Sequence, residues 1–257
     1  MYKLRHWIKE DKLDWAMLSA NPRATRLLEK DSKNIYWYEL SSNPEALIFF
    51  VKTKRDRIHF TRLCENVNAI HILEKNLDKL IWAQISKNPG AIKILEANPE
   101  KIVWWALSYN PAAIHLLEKN QYMINWFALS TNPGAISLLK ENFDKISWSA
   151  LSSNPAAIPL LEANPDKIDW YMLSANPAAI HLLERNLERI SVGQLHNNSA
   201  AVHLLEHCNV DWHRISNNPG IFEYDYEGMS QQRHDLNQEL LSVVFHPENI
   251  ARFRSCF

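Results

Sequence analysis

The chain has 257 residues, 46% hydrophobic and 22% charged, with a formal net charge of −1, which excludes the basic excess of a chain built to grip nucleic acid. Five glycines leave little for phosphate-cradling loops or many tight hairpins. Three scattered cysteines (Cys64, Cys208 and Cys256), with no CxxC pair, read as free thiols in a reducing compartment rather than a disulfide framework or a zinc site.

The N-terminus, MYKLRHWIKEDKLDW, is charged throughout and lacks the apolar core of a signal peptide. No stretch approaches the roughly 18 apolar residues of a membrane span. Residues 1–20 read as a degenerate repeat acting as a cap, carrying Leu4, Trp7, Ile8, Leu13, Trp15 and Leu18.

From residue 21 the chain repeats itself. Asn-Pro occurs at Asn21, Asn43, Asn88, Asn110, Asn132, Asn154 and Asn176, and the phase continues at Asn66, Asn198 and Asn218-Pro219. Six residues before each Asn stands Trp15, Trp37, Phe60, Trp82, Trp104, Trp126, Trp148, Trp170, Val192 or Trp212. Two ladders in one phase specify a repeat architecture.

One unit reads NPAAIHLLEKNQYMINWFALST from Asn110. Asn110 suits an N-cap, its side-chain oxygen accepting from free amides of the first turn, and Pro111 suits the first helical position. Ala113, Ile114 and Leu117 form one apolar stripe, and Asn120 is placed to stop the helix in a left-handed conformation. Trp126 and Leu129 share a face of the second helix. Each unit is therefore expected to hold two helices of about two turns. Such helices are unstable alone and must stack on neighbours, and at roughly 8–10 Å per packed helix nine units predict a rod or arc about 80 Å long. Pro159, inside a predicted first helix, is expected to loosen its unit.

After Pro219-Gly220 the period stops. GIFEYDYEG reads as an extended linker, and residues 230–245 as a longer helix with Leu236, Leu240 and Val243 on one stripe. His246-Pro247 breaks that helix before a final turn containing Ile250 and Phe253. The fold class is all-α, an α-solenoid of about nine 22-residue repeats over 21–219, with caps at 1–20 and 220–257.

The phrase NPAAIHLLE-x-N followed by K-I-x-W-x-x-L-S, fullest at 110–130, 154–174 and 176–186, resembles a short repeat of large and giant DNA viruses. The ending EYDYEGM…QELLSVVFHPENIARF resembles a C-terminal module common in those viruses. The resemblance implies a viral repeat module for protein contacts, with no catalytic residues to carry over. Residues 44–65 and 191–217 depart from the pattern.

No GxGxxG, GxxxxGK, HExxH or GxSxG occurs, so no enzyme class and no cofactor is indicated. His71, His115, His181 and His203 share one repeat position, and the reading there is a solvated rim rather than a metal site. Glu74, Glu96, Glu118, Glu162, Glu184 and Glu206 form a periodic row that reads as a solvated face offset by Lys75, Lys119 and Arg185. The asparagine row is explained by capping, with a peptide-reading ladder as the alternative. The Trp row reads as buried core.

Binding is expected at positions that vary between units. The residue after the ladder aromatic is Tyr38, Trp105, Phe127 or Tyr171 in four units, a contact surface with aromatic anchors; packing against the adjoining helix is the alternative. Lys52, Lys54, Arg55, Arg57 and Arg62 form a candidate basic contact patch. The function expected is a non-catalytic protein–protein scaffold: a minor capsid or other structural virion component, or else an adaptor capturing host or viral proteins. A nucleic-acid-binding repeat ranks below both. The partners expected are capsid, scaffold or host proteins, with no small-molecule substrate and no membrane span. The location expected is the virion or host-cell cytoplasm, and cytoplasmic otherwise.

Overall fold

The computed structural model describes residues 2–46 and 57–244, with side chains through residue 239. The chain is mostly helical, built from repeated short helices with one two-stranded sheet. A representative unit runs through an aromatic helix (Trp126–Thr131), the buried Asn132, a 3-10 turn (Pro133–Ala135), an isoleucine helix (Ile136–Glu141) and a second 3-10 turn (Phe143–Lys145). The α segments span four to six residues, as in Trp104–Leu107 and Ile114–Lys119, shorter than the two turns expected.

The capping chemistry explains the shape of the unit. Asn132 sits at φ −81°, ψ 116°, and its Oδ1 accepts the Gly134 N–H at 2.9 Å, with Pro133 at the first position of the turn. Asn120 is not left-handed as expected: its φ is −133°, and its Nδ2 donates to Leu116 O at 2.9 Å, so the side chain itself satisfies an orphan carbonyl. Pro159 does not loosen its unit either. The helix Ile158–Glu162 starts one residue earlier, so Pro159 occupies a position that needs no N–H.

The core is a row of fully buried leucines and isoleucines, one from each aromatic helix (Leu18, Leu40, Leu63, Ile85, Leu107, Leu129, Leu151, Leu173, Leu195 and Ile215), with Ala and Leu of the turns and isoleucine helices. The ladder aromatics are half-buried rather than buried as expected, because a helix this short turns its Leu, its Ser and in some units an Ala inward and leaves the ring at the edge. The exposed side of these rings is covered by a cation at the end of the unit. Arg57 lies over Trp37, Lys79 over Phe60, Lys101 over Trp82, Lys145 over Trp126, Lys167 over Trp148 and Arg189 over Trp170, at 4.6–6.0 Å from the ring centres.

Successive units are joined by one polar pattern. Asn132 Nδ2 donates to Ser108 O and Asn110 O of the unit before it, both at 3.0 Å. Ser147 N donates to Ser130 Oγ at 3.0 Å, while that hydroxyl donates to Trp126 O at 2.7 Å. The pattern recurs from Asn43 to Asn198 with the same donors and acceptors, Cys64 Sγ replacing the serine in one unit.

The same pattern also joins the last unit to the first. Asn21 Nδ2 donates to Ser216 O at 3.0 Å and Asn218 O at 3.1 Å, and Asp14 N donates to Ser216 Oγ at 2.8 Å. The helix Trp15–Ala20 packs on Trp212–Ser216 as on Trp37–Leu40. Counting by the buried asparagines at 21, 43, 66, 88, 110, 132, 154, 176, 198 and 218, ten units form a closed circuit rather than an open rod. The terminal segments are not caps at opposite ends. Strand β1 (Tyr2–Leu4) pairs antiparallel with β2 (Phe222–Tyr224), which lies in the segment expected to be extended. Arg5 Nε donates to Gly220 O at 2.8 Å, and Arg23 to Pro219 O at 3.2 Å.

The final helix, Tyr226–Val244, leaves the body, and every residue from 230 to 239 is exposed.

Candidate functional site: the exposed face of the aromatic helices

Aromatic helices of successive units pack on one another, as Trp82–Lys87 does on Trp104–Leu107 and Trp126–Thr131 on Trp148–Ser152.

The residue after each ladder aromatic lies on the side of its helix turned from the buried leucine. Tyr38 is 47% exposed, Trp105 49%, Phe127 53% and Tyr171 57%. These rings therefore do not disappear into the adjoining helix. Trp105 and Phe127 occupy neighbouring units, and Lys87 Nζ stands 4.8 Å from the Trp105 ring centre and 5.2 Å from that of Tyr109. Tyr38 is engaged differently: His59 meets its ring edge-on at 5.4 Å and Arg62 lies over it at 5.7 Å. From residue 81 to 197 this face, read as the residues flanking and one, two and five places after each aromatic, carries as charged groups only Lys87 and Asp169. Asp169 accepts from Ser149 Oγ at 2.5 Å. The result is an aromatic and hydroxyl-rich surface within a chain rich in charge elsewhere.

The basic patch is only partly visible, since Lys52, Lys54 and Arg55 lie outside the described residues. Arg57 covers Trp37 and Arg62 is held by Glu39 and Glu65, at 2.5 and 2.6 Å. Burial disfavours the Arg62 charge, but the two carboxylates more than offset this and its pKa is raised. Arg62 is thus neutralised by its two carboxylates, whereas Arg57 stays exposed over its ring.

The histidine and glutamate rows interlock between units. His115 pairs with Glu96 at 3.0 Å, His181 with Glu162 at 2.9 Å and His203 with Glu184 at 3.3 Å. The partners of these glutamates are thus the next unit's imidazoles rather than the nearby lysines. Among the described residues no group of three or more His, Cys, Asp or Glu could hold a metal ion. The asparagine amides are consumed inside the wall, so they cannot read a peptide. Cys64 is buried, which pushes its thiol pKa up. No helix among the described residues is long and apolar enough to cross a membrane.

Sequence reasoning missed His196 and the seam residues Asp14 and His213, because their roles exist only between units that the linear chain separates. Neither a family model, nor a curated protein, nor a solved structure matches this chain.

Proposed function

We propose that this chain is a closed α-solenoid, a ten-unit ring that acts as a non-catalytic protein-binding scaffold. Its binding surface is the aromatic row Tyr38, Trp105, Phe127 and Tyr171. The observation that supports this reading is the exposure of large rings on a framework whose other repeated polar and aromatic groups bond between units. Exposed Trp and Tyr anchors on a rigid support lose little side-chain entropy on binding, which is why such residues concentrate at interfaces.

Within the viral setting implied by the repeat resemblance, two roles remain: a structural part of the particle and a soluble adaptor. Closure favours the adaptor. A strut spanning larger subunits needs free stacking ends, and here the two end units occupy each other. A nucleic-acid-binding role draws no support from arginines already bonded to carboxylates and rings.

The test is cross-linking mass spectrometry of purified particles and infected-cell lysate, run on the wild type and on a Trp105→Ala/Phe127→Ala variant. Cross-links to one reproducible partner that the variant loses, at unchanged melting temperature, are the expected result. A partner retained by the variant would move binding to another face, and reproducible stoichiometry with shell proteins would restore the structural role.

A further inference from the structure

In nine of the ten units the buried side chain that receives the next unit's amide is a serine or, once, Cys64, and in the tenth it is an imidazole. In the ninth unit the inward serine is replaced by His196, which is 2% exposed. Its imidazole takes over both of the serine's hydrogen bonds. Nδ1 lies 2.8 Å from Val192 O, where the serine would donate, and Asp211 N donates to Nε2 at 2.9 Å, where the serine oxygen would accept. A carbonyl can only accept and an amide can only donate, so the partners fix one tautomer, protonated at Nδ1 and bare at Nε2. That is the neutral ring.

Three independent features make this joint weaker than the others. Asn218 Nδ2 reaches a single carbonyl, His196 O at 2.8 Å, while each of the other nine buried asparagines reaches two. The unit is two residues shorter, the step from Asn198 to Asn218 being 20 where its neighbours show 22. Val192 replaces the ladder aromatic and Asn209 the cation that would cover it, so the cation–ring contact made in most other units is missing beside this joint.

We infer that His196 makes the joint between the ninth and tenth units an acid-sensitive latch, at which the ring loosens first when pH falls below neutral. A proton on Nε2 would set an N–H against the Asp211 N–H, replacing a hydrogen bond by donor–donor repulsion in a buried site. Protons have a route in. The imidazole borders a surface cavity of about 240 Å³ shared with Met17, His213, Arg214, Asn217 and Asn218.

The flanking charges do not supply a substitute partner. The Asp211 carboxylate accepts from Arg214 N and pairs with the Arg214 guanidinium. Arg214 also donates to Gly193 O, and His213 is bound to Asp14 across the seam. On the other side the helix Trp170–Ser174 brings Asp169, already bonded to Ser149. Acid therefore disfavours the closed joint, because only the neutral ring satisfies the carbonyl and the amide at once.

The test is amide exchange by NMR between pH 7.5 and 5.0 on the full chain, with rates corrected for intrinsic pH dependence. Protection of Asp211 should fall by about tenfold or more between those two pH values, while Ser147, the same position in a serine joint, stays level. His196→Gln keeps a neutral acceptor and should abolish the fall. A flat Asp211 profile, or an equal fall at Ser147, would overturn the proposal. If the variant does not fold, the imidazole ¹⁵N shifts of the wild type decide. Both nitrogens titrating as in a free imidazole, with no Nδ1–H tautomer at pH 7.5, would equally overturn it.

Discussion

Asn132 serves two masters with one amide: its oxygen caps its own turn and its nitrogen holds the previous unit. Removing it leaves Ser108 O without this partner, Asn110 O with only the Ala113 N–H, and the exposed Gly134 N–H to water. Asn132→Ala should therefore cost about 2–3 kcal/mol in urea unfolding, mainly from the buried carbonyl it orphans. Asn142, half-buried with its Nδ2 bonded to Leu138 O, should cost about 1 kcal/mol or less as Asn142→Ala. Comparable losses at the two sites would contradict the ladder. The capping half of this role was legible from the Asn-Pro dipeptide because capping is local. The bridging half was not, because it depends on where the neighbouring unit lies. A clue was nonetheless present: Ser, Thr and Asp cap as well as Asn, yet Asn stands at every one of the ten positions. Only an amide both accepts and donates in that geometry.

At the scale of an element, the half-turn excess of each aromatic helix separates the inward Leu from the edge-lying Trp. Periodicity alone merged the two, since both fall on one face of a longer ideal helix. The cation covering each ring was equally hidden, although the K-I-x-W phrase holds it at constant spacing. Lys145→Ala, which uncovers Trp126, should lower stability by about 0.5–1 kcal/mol, the range for partly exposed cation–ring contacts. The variable position behaves differently. Trp105→Ala should change stability by less than about 1 kcal/mol, because half of the ring already faces water, while abolishing partner binding. Calorimetry paired with a binding assay separates the two effects, and a large stability loss with binding intact would return Trp105 to the framework.

At the scale of the whole molecule, curvature is the sum of small rotations at each joint, and no residue pattern states that sum. The end units hold the indirect signal. Units that cap an open stack turn a polar face outward, whereas Trp15, Asn21, Trp212 and Asn218 keep the apolar and amide groups of an interface. The seam has ionic contacts of its own, among them Asp14 with His213 at 2.8 Å and Arg26 with Asp225 at 3.2 Å. Burial pushes the Asp14 carboxyl up, but bonds from His213 and the Met17 and Ala16 amides outweigh it and leave its pKa below the ordinary value. A carboxylate with a depressed folded pKa stabilises above its unfolded value and loses that contribution as pH falls through the folded one. Asp14→Asn should thus weaken the seam at neutral pH and approach the wild type as pH falls through the lowered value of the folded carboxyl. Melting curves of both proteins across pH 2–7 check this.

Closure itself is tested most directly at the strand pair. Tyr2 and Tyr224 face each other across β1 and β2, and directly opposed strand residues stand at a Cα separation a disulfide can bridge. A variant carrying Tyr2→Cys and Tyr224→Cys, with the native cysteines replaced by serine, should form this bond within one chain under mild oxidation. It should then run as a monomer of altered mobility on non-reducing gels. A chain that stays reduced, or links only into dimers, would mean that its first and last units do not meet.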